Sequence, residues 1–448
     1  MKVQVLIYNT HSQVRCEDAV LRKMISDVLS YEVPGANFAK IPGWDGRNRL
    51  MKKDGTYPTG LTSMLIKFLR TESVEYKFYD KRVKPAPKYG FEINCAERTP
   101  RYYQTACAEI SDKKARGVFV MGTGAGKTLT SALVVDRKKV DTLFVTPDTG
   151  LREQVYNDYL NWFGPHNVST DITSDKPIIV SNIQALAKKD DELFKRFGML
   201  VIDEFHHSSA STYLDLNKAC ENAYYRYGFT GTFIRSDGVD MPMHGVLSNV
   251  IFRKTTSELI EEGFLVRPYI TVKEVVIPKS KAPYAEAYAA MTEYIPFNEV
   301  VADICRTKVA EGKQTLVLVR RKEHGRLLAS MIPGALFVSG SDKGKERAEI
   351  KRNFITKKLR CMVATEIFGE GQDIPSIDVL VNARLQKTEI QTAQGIGRAL
   401  RKAEGKDKAE VFDFLIVGQR HLHDHSVQRI ASYKKESAFV LQILREPK

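Results

Sequence analysis

Along the first eighty residues the apolar positions change period several times. Residues 3–8 read as a strand, and Val20, Leu21, Met24, Ile25, Val28 and Leu29 then recur at helical spacing. A hairpin turning at Asp54-Gly55 is expected next, followed by a second amphipathic helix through Leu61, Met64, Leu65, Phe68 and Leu69. Val74, Tyr76 and Phe78 alternate with Glu75 and Lys77, as in a half-exposed strand. Residues 1–80 therefore read as a small α+β domain. Residues 81–88 carry four positive charges and two prolines without any period, so 81–94 is taken as a basic linker.

Beyond it the pattern becomes one of short apolar runs separated by helical stretches. The runs fall at 118–120, 142–146, 178–181, 199–202 and 227–230, and a second series falls at 315–319, 335–338, 361–364, 379–382 and 411–414. Such alternation specifies a parallel sheet covered by helices on both faces. It predicts an α/β protein with two lobes, 95–235 and 297–448. Between them 236–296 is turn-rich, with a helical stretch at 282–294, and is read as the inter-lobe connection.

Composition sharpens this. A chain of 448 residues exceeds one ordinary core. Its formal charge of +14 attracts polyanions, nucleic acid first among them. The six cysteines are scattered, with no C-x-x-C pair, which argues for reduced thiols and against structural zinc. No signal peptide and no apolar run of membrane-spanning length is visible, so a soluble cytoplasmic protein without membrane association is expected.

Two stretches carry chemistry. The run 118–121 feeds into Gly122-Thr123-Gly124-Ala125-Gly126-Lys127-Thr128, a turn whose backbone N–H groups can face phosphates. Lys127 would set its charge against the β- and γ-phosphates of a nucleotide and Thr128 would ligate Mg2+. The strict pattern asks for glycine at position 121, where this chain has Met121. Downstream, an apolar run delivers Asp203-Glu204 at a strand end, placing Asp203 to hold Mg2+ through its water shell and Glu204 to deprotonate the attacking water.

A P-loop, then Asp-Glu-Phe-His at 203–206, then Thr230-Gly231-Thr232, then Gln394-Gly395-Ile396-Gly397-Arg398-Ala399-Leu400-Arg401 resembles the ordered motif set of superfamily 2 helicases of the DExH type. The resemblance implies two tandem RecA-like lobes preceded by the small domain. It implies that Arg101 and Gln104 read adenine, that Gln394, Arg398 and Arg401 serve the γ-phosphate from the second lobe, and that Gly371 and Asp373 belong to a motif touching DNA and ribose. Pro147, Gln154, Ser181, Gln184 and Thr365 match motifs that follow a nucleic-acid strand.

Within the first domain, Gly43-Trp44-Asp45-Gly46-Arg47-Asn48-Arg49-Leu50 and Tyr57-Pro58-Thr59-Gly60-Leu61 are similar to the N-terminal domain of the UvsW-like recombination helicases of T-even and related phages. That likeness implies a phage-encoded DNA helicase working, as a monomer, on branched or forked DNA in recombination, repair and replication. Trp44, Arg47 and Arg49, with Lys52 and Lys53, would form its second DNA contact, although Trp44 could equally anchor the small core. An RNA helicase of the same type and a duplex translocase that never separates strands share the motor motifs. His421, His423 and His425 alternate as they would along one face of a strand, but a polar stretch explains them better than a metal site. The basic run 343–360 reads as a solvated helical face able to meet phosphates.

Overall fold

The computed structural model of the chain describes residues 3–33, 36, 43–95, 99–204, 210–231, 241–340, 342, 344–365, 377–387, 396, 399–403 and 405–445. Their packing divides into two units, Met1–Met121 with Gly126–Arg253, and Gly122–Ala125 with Lys254–Lys448.

The first unit begins with strands β1 (Val3–Ile7), β2 (His11–Arg15), β3 (Ser30–Glu32), β4 (Arg47–Arg49), β5 (Thr56–Pro58) and β6 (Tyr76–Asp80), arranged as a sheet ordered β5-β2-β1-β6 and a separate β3-β4 pair. The helices Ala19–Val28 and Thr62–Thr71 close this core with Ile25, Leu65 and Leu69 against Val3, Val5 and Tyr57. Val20 keeps its helical position but stays 71% exposed. The turn at Asp54-Gly55 exists, with Gly55 at φ 82, yet it closes no hairpin. β4 pairs with β3 and β5 with β2, because that register seats Tyr57 opposite Ser12 in the core while Arg47 and Arg49 meet carboxylates at the surface.

This small domain is packed against the rest of the first unit rather than merely linked to it. Its core includes Met241, from the helix Met241–Leu247 of the same unit. Gly60 approaches that helix so closely that a Cβ there would sit 2.0 Å from the carbonyl oxygen of His244 and 2.6 Å from that of Gly245. Arg116 and Asn217 add hydrogen bonds to the carbonyls of Asn9 and Thr10. The 81–94 stretch is likewise strapped down: the Lys88 amide donates to Lys139, and the Lys88 ammonium and Tyr89 hydroxyl meet Asp141 at 3.0 and 2.7 Å.

The first RecA-like sheet contains β7 (Arg116–Met121), β8 (Thr142–Thr146), β9 (Val168–Ser169), β10 (Ile178–Asn182), β11 (Met199–Asp203), β12 (Tyr225–Thr230) and β13 (Val250–Lys254), in the order β13-β7-β12-β11-β8-β10-β9. The second contains β14 (Arg267–Ser280), β15 (Thr315–Leu318), β16 (Leu336–Val338), β17 (Cys361–Ala364), β18 (Val379–Asn382), β19 (Lys408–Gln419) and β20 (Val440–Leu444), in the order β16-β17-β15-β18-β19-β14-β20. Neighbouring strands there run parallel, with apolar residues buried on both faces. The stretch 236–296, expected as a connection, supplies a strand to each sheet. β13 borders the P-loop strand, and β14 lies between β19 and β20, where Ile270, Val272 and Val275 are covered.

His421, His423 and His425 lie on the helix Arg420–Lys434, not on a strand. Gln419 caps that helix by accepting the Leu422 amide, and residues two apart on a helix face different ways. Among the described residues no His, Cys, Asp and Glu cluster of three or more could hold a metal, and no helix is long and apolar enough to cross a membrane. All six cysteines are free thiols.

Candidate active site

Parallel pairing brings the carboxyl ends of β7, β8, β10, β11 and β12 to one edge: Val120 is in register with Thr230, Phe229 with Asp203, Ile202 with Val145, and Val145 with Ser181. Ligands of open α/β sheets bind at that edge. The loop 122–128 leaves the end of β7. Met121, where the strict pattern wants glycine, is the fully buried last residue of the strand, so the turn starts one residue later. Gly124 and Gly126 hold φ 84 and 77, which side-chain-bearing residues adopt at a cost. Gly126 then caps the helix Lys127–Lys138, whose first amides are free of intrahelical partners by construction.

Gln104 reaches this loop. Its Oε1 accepts the Arg101 amide at 2.8 Å and its Nε2 donates to the Gly126 carbonyl at 3.3 Å. Tyr103, between Arg101 and Gln104 in the same motif, accepts the Arg101 guanidinium on its hydroxyl at 2.7 Å.

Lys127 pairs with Glu204, Nζ to Oε1 2.8 Å. Glu204 is buried and sits at φ 42, a left-handed conformation in which a non-glycine residue is strained. Its amide donates to Phe229 O at 2.9 Å and to its neighbour's carboxylate at 3.0 Å, while Thr230 Oγ1 and the Gly231 amide each donate to Oε2 at 3.3 Å. Thr230-Gly231 thus touches the carboxylate directly. Asp203 is buried beside it, and burial first, then the Glu204 charge, push its pKa up to about 7 against the opposing pull of Lys127. Two adjacent buried carboxylates are a suitable donor set for a divalent cation, with the half-buried Thr128 on the loop opposite.

The residues matched to strand-following motifs lie in both lobes. Pro147 and Ser181 are buried at the sheet edge, Gln154 is half-buried with Oε1 unpartnered, and Gln184 is exposed. Thr365 follows β17, buried, its amide on Val338 O and its Oγ1 without a partner. In the small domain Trp44 is half-buried, outside the apolar core, and donates Nε1 to Arg47 O at 2.9 Å. Arg49 is paired with Asp27 and Asp45 at 2.7 and 2.6 Å and Arg47 with Glu32 at 3.3 Å, so neither guanidinium is an open phosphate contact.

Arg401 forms a β-bridge with Leu265, and Val266 donates to Leu400 O at 2.8 Å. Leu265 also abuts Gly124 of the same unit, where a Cβ would meet its Cδ2 at 2.8 Å. Gln394, Arg398, Gly371 and Asp373 lie outside the described residues.

Three families match along the chain: "DNA helicase UvsW, N-terminal" at 1–80, "Type III restriction enzyme, res subunit" at 97–235 and "Helicase conserved C-terminal domain" at 297–403. The chain is an ATP-dependent DNA helicase of superfamily 2, resembling phage UvsW. The helicase is 23% identical to the ATP-dependent DNA helicase uvsW of Enterobacteria phage T4, over 95% of this chain and 96% of that one. It is 27% identical to the probable helicase D10 of Escherichia phage T5, over 82% and 81%. A fragment of a putative HsdR subunit of a type I restriction enzyme from Vibrio vulnificus shares the fold, with a TM-score of 0.61 at 18% identity over 80% of this chain and 69% of that one.

Proposed function

We propose that this helicase remodels branched DNA: it migrates junctions, regresses forks and unwinds displacement loops during phage recombination, repair and replication. The observation that carries the reading is the small domain of the UvsW N-terminal family, packed into the first unit through Gly60 and Met241. A motor that grips the phosphates of one strand has little means of sensing a branch. A second DNA contact fixed rigidly beside it can engage another arm.

In this reading the loop 122–128 cradles the phosphates of ATP, Lys127 leaves Glu204 to meet them, and Arg101 and Gln104 lie toward the adenine. Thr128 and Asp203 hold Mg2+, which when bound neutralises charge on the transferred phosphoryl group. Glu204, held by Thr230 and Gly231, takes the proton of the attacking water. Arg398 and Arg401, with Gln394, stabilise the transition state, and Gly371 and Asp373 contact ribose. Pro147, Gln154, Ser181, Gln184 and Thr365 follow the strand. In the small domain Trp44 offers an aromatic face. Because Arg47 and Arg49 are already paired, the exposed Lys52 and Lys53 carry more of the phosphate contact.

The test compares ATPase and unwinding rates on single-stranded, duplex, forked and four-way DNA, with matched RNA duplexes and a triplex-displacement assay alongside. Preference for forked and four-way DNA, diminished in Lys52→Glu/Lys53→Glu, is expected. Equal rates on plain duplex and junctions would reject branch specificity. Triplex displacement without strand separation would make the protein a duplex translocase instead.

A further inference from the structure

The stretch from Lys387 to Arg401 carries the groups assigned above to the γ-phosphate, and buried cations hold the backbone on both flanks. Upstream, the chain leaves β18 through Leu385, an apolar residue buried at φ 55. Arg429 donates Nη1 to the next carbonyl, Gln386 O, at 2.8 Å, while its Nη2 and Nε close on Asp413 at 2.9 and 3.0 Å. Asn382 Nδ2 reaches the same carboxylate at 3.1 Å, and the Tyr433 hydroxyl donates to it.

Downstream, Lys406 is 8% exposed and its Nζ donates to Ala399 O at 2.6 Å. Ala399 ends the helical turn that includes Ile396, where backbone carbonyls run out of intrahelical donors. An ammonium there satisfies one of them and faces the negative end of the turn. The next residues, Leu400 and Arg401, are fixed in turn by Val266 and Leu265. Burying a lysine is costly, and a plain turn would be served as well by glycine or by an exposed polar residue.

We propose that Lys406 is a positioning residue for Arg401: by holding the Ala399 carbonyl it sets the backbone that carries Leu400 and Arg401 in the geometry that hydrolysis needs, while Arg429 braces the chain at Gln386 where it leaves β18. The role rests on the reading that Arg401 serves the γ-phosphate.

Lys406 is the end to test, since removing Arg429 would strand the buried Asp413 carboxylate. Full-length Lys406→Met, Lys406→Arg, Arg401→Ala and the Lys406→Met/Arg401→Ala double variant are compared in DNA-stimulated ATPase, at a temperature where thermal unfolding shows each one folded. Lys406→Met should lower kcat about 10- to 100-fold, the scale of an ångström-sized misplacement. KM for ATP should stay within about threefold, as for a loss felt in the transition state. Lys406→Arg, which keeps a donor, should retain more of kcat. In the double variant the two losses should not multiply, because both act through one group. A slow Arg401→Ala with a normal Lys406→Met, or multiplying losses, overturns the inference and leaves the ATP-site reading standing. A normal Arg401→Ala overturns both.

Discussion

The ammonium of Lys127 lies 2.8 Å from Oε1 of Glu204, so the residue that would grip phosphate is held by the residue that would activate water. The pair must part when a nucleotide enters. Glu204→Gln removes the charge that competes for Lys127 and the base at once. It should bind ATP at least as tightly as the natural protein while hydrolysing it on the order of 100-fold or more slowly. Equilibrium nucleotide binding beside single-turnover hydrolysis checks this, and normal turnover would remove Glu204 from the mechanism.

Lys127→Ala should lose hydrolysis while keeping most of its DNA affinity, since the basic surface is untouched. Filter binding and ATPase on one preparation suffice. Substantial residual turnover would show that the loop is not the phosphate site.

Asp203 makes the nucleotide-free fold sensitive to pH. Its pKa is raised from 3.8 to about 7, so between those values the folded chain binds a proton that the unfolded chain has released. Its contribution to stability is complete below the unfolded value and is lost as pH rises toward 7. Asp203→Asn carries no such slope, so its Tm relative to the natural protein should rise between pH 5 and pH 8. A constant difference would mean that Asp203 ionises normally.

Gly60→Ala should loosen the small domain from the first unit, because the new methyl group would meet two main-chain carbonyl oxygens that no side-chain rotation can clear. A loss of about 1–3 kcal/mol is expected for such overpacking. Limited proteolysis should then cut within 81–94. Unchanged stability and cleavage would argue against the tight docking.

DNA affinity should fall steeply with salt, as a chain of charge +14 displaces counterions from several phosphates. The helix Gly344–Ile355 carries the exposed Lys345 and the half-buried Arg347. Lys345→Ala/Arg347→Ala should flatten the log–log salt slope by up to about 2. An unaltered slope would take that helix off the DNA path.

Ten of the fourteen strands of the two lobes, all but β9, β13, β14 and β20, were legible because parallel strands, buried on both faces, read as unbroken apolar runs. β19 was legible only in its middle: Glu410 and Asp413 interrupt the run, and nothing local tells that Arg429 neutralises Asp413. β14 escaped because Pro268, Lys273, Glu274 and Pro278 break its period, while its burial comes from β19 and β20, far away in the chain. The Asp54-Gly55 turn misled for a related reason, since strand partners are set by long-range packing rather than by the turn between them. At the site, Lys127, Asp203 and Glu204 were legible from local pattern, whereas their ion pair, the strained φ of Glu204 and the hold of Thr230 on it depend on sheet register. Arg47 and Arg49 looked like open cations because their carboxylate partners include Asp27 and Glu32, outside their own stretch.

Met241 inside the core of the first eighty residues bears on how the chain is made. That domain emerges from the ribosome ahead of the lobe, yet a side chain of its core is encoded roughly 160 residues later, about 10–30 s of synthesis at ordinary elongation rates. Until then that core lacks one of its side chains, and the nascent domain is an incomplete partner waiting for the lobe. Final consolidation therefore belongs to the end of the first unit's synthesis, and the small domain and the lobe should melt together as one cooperative block.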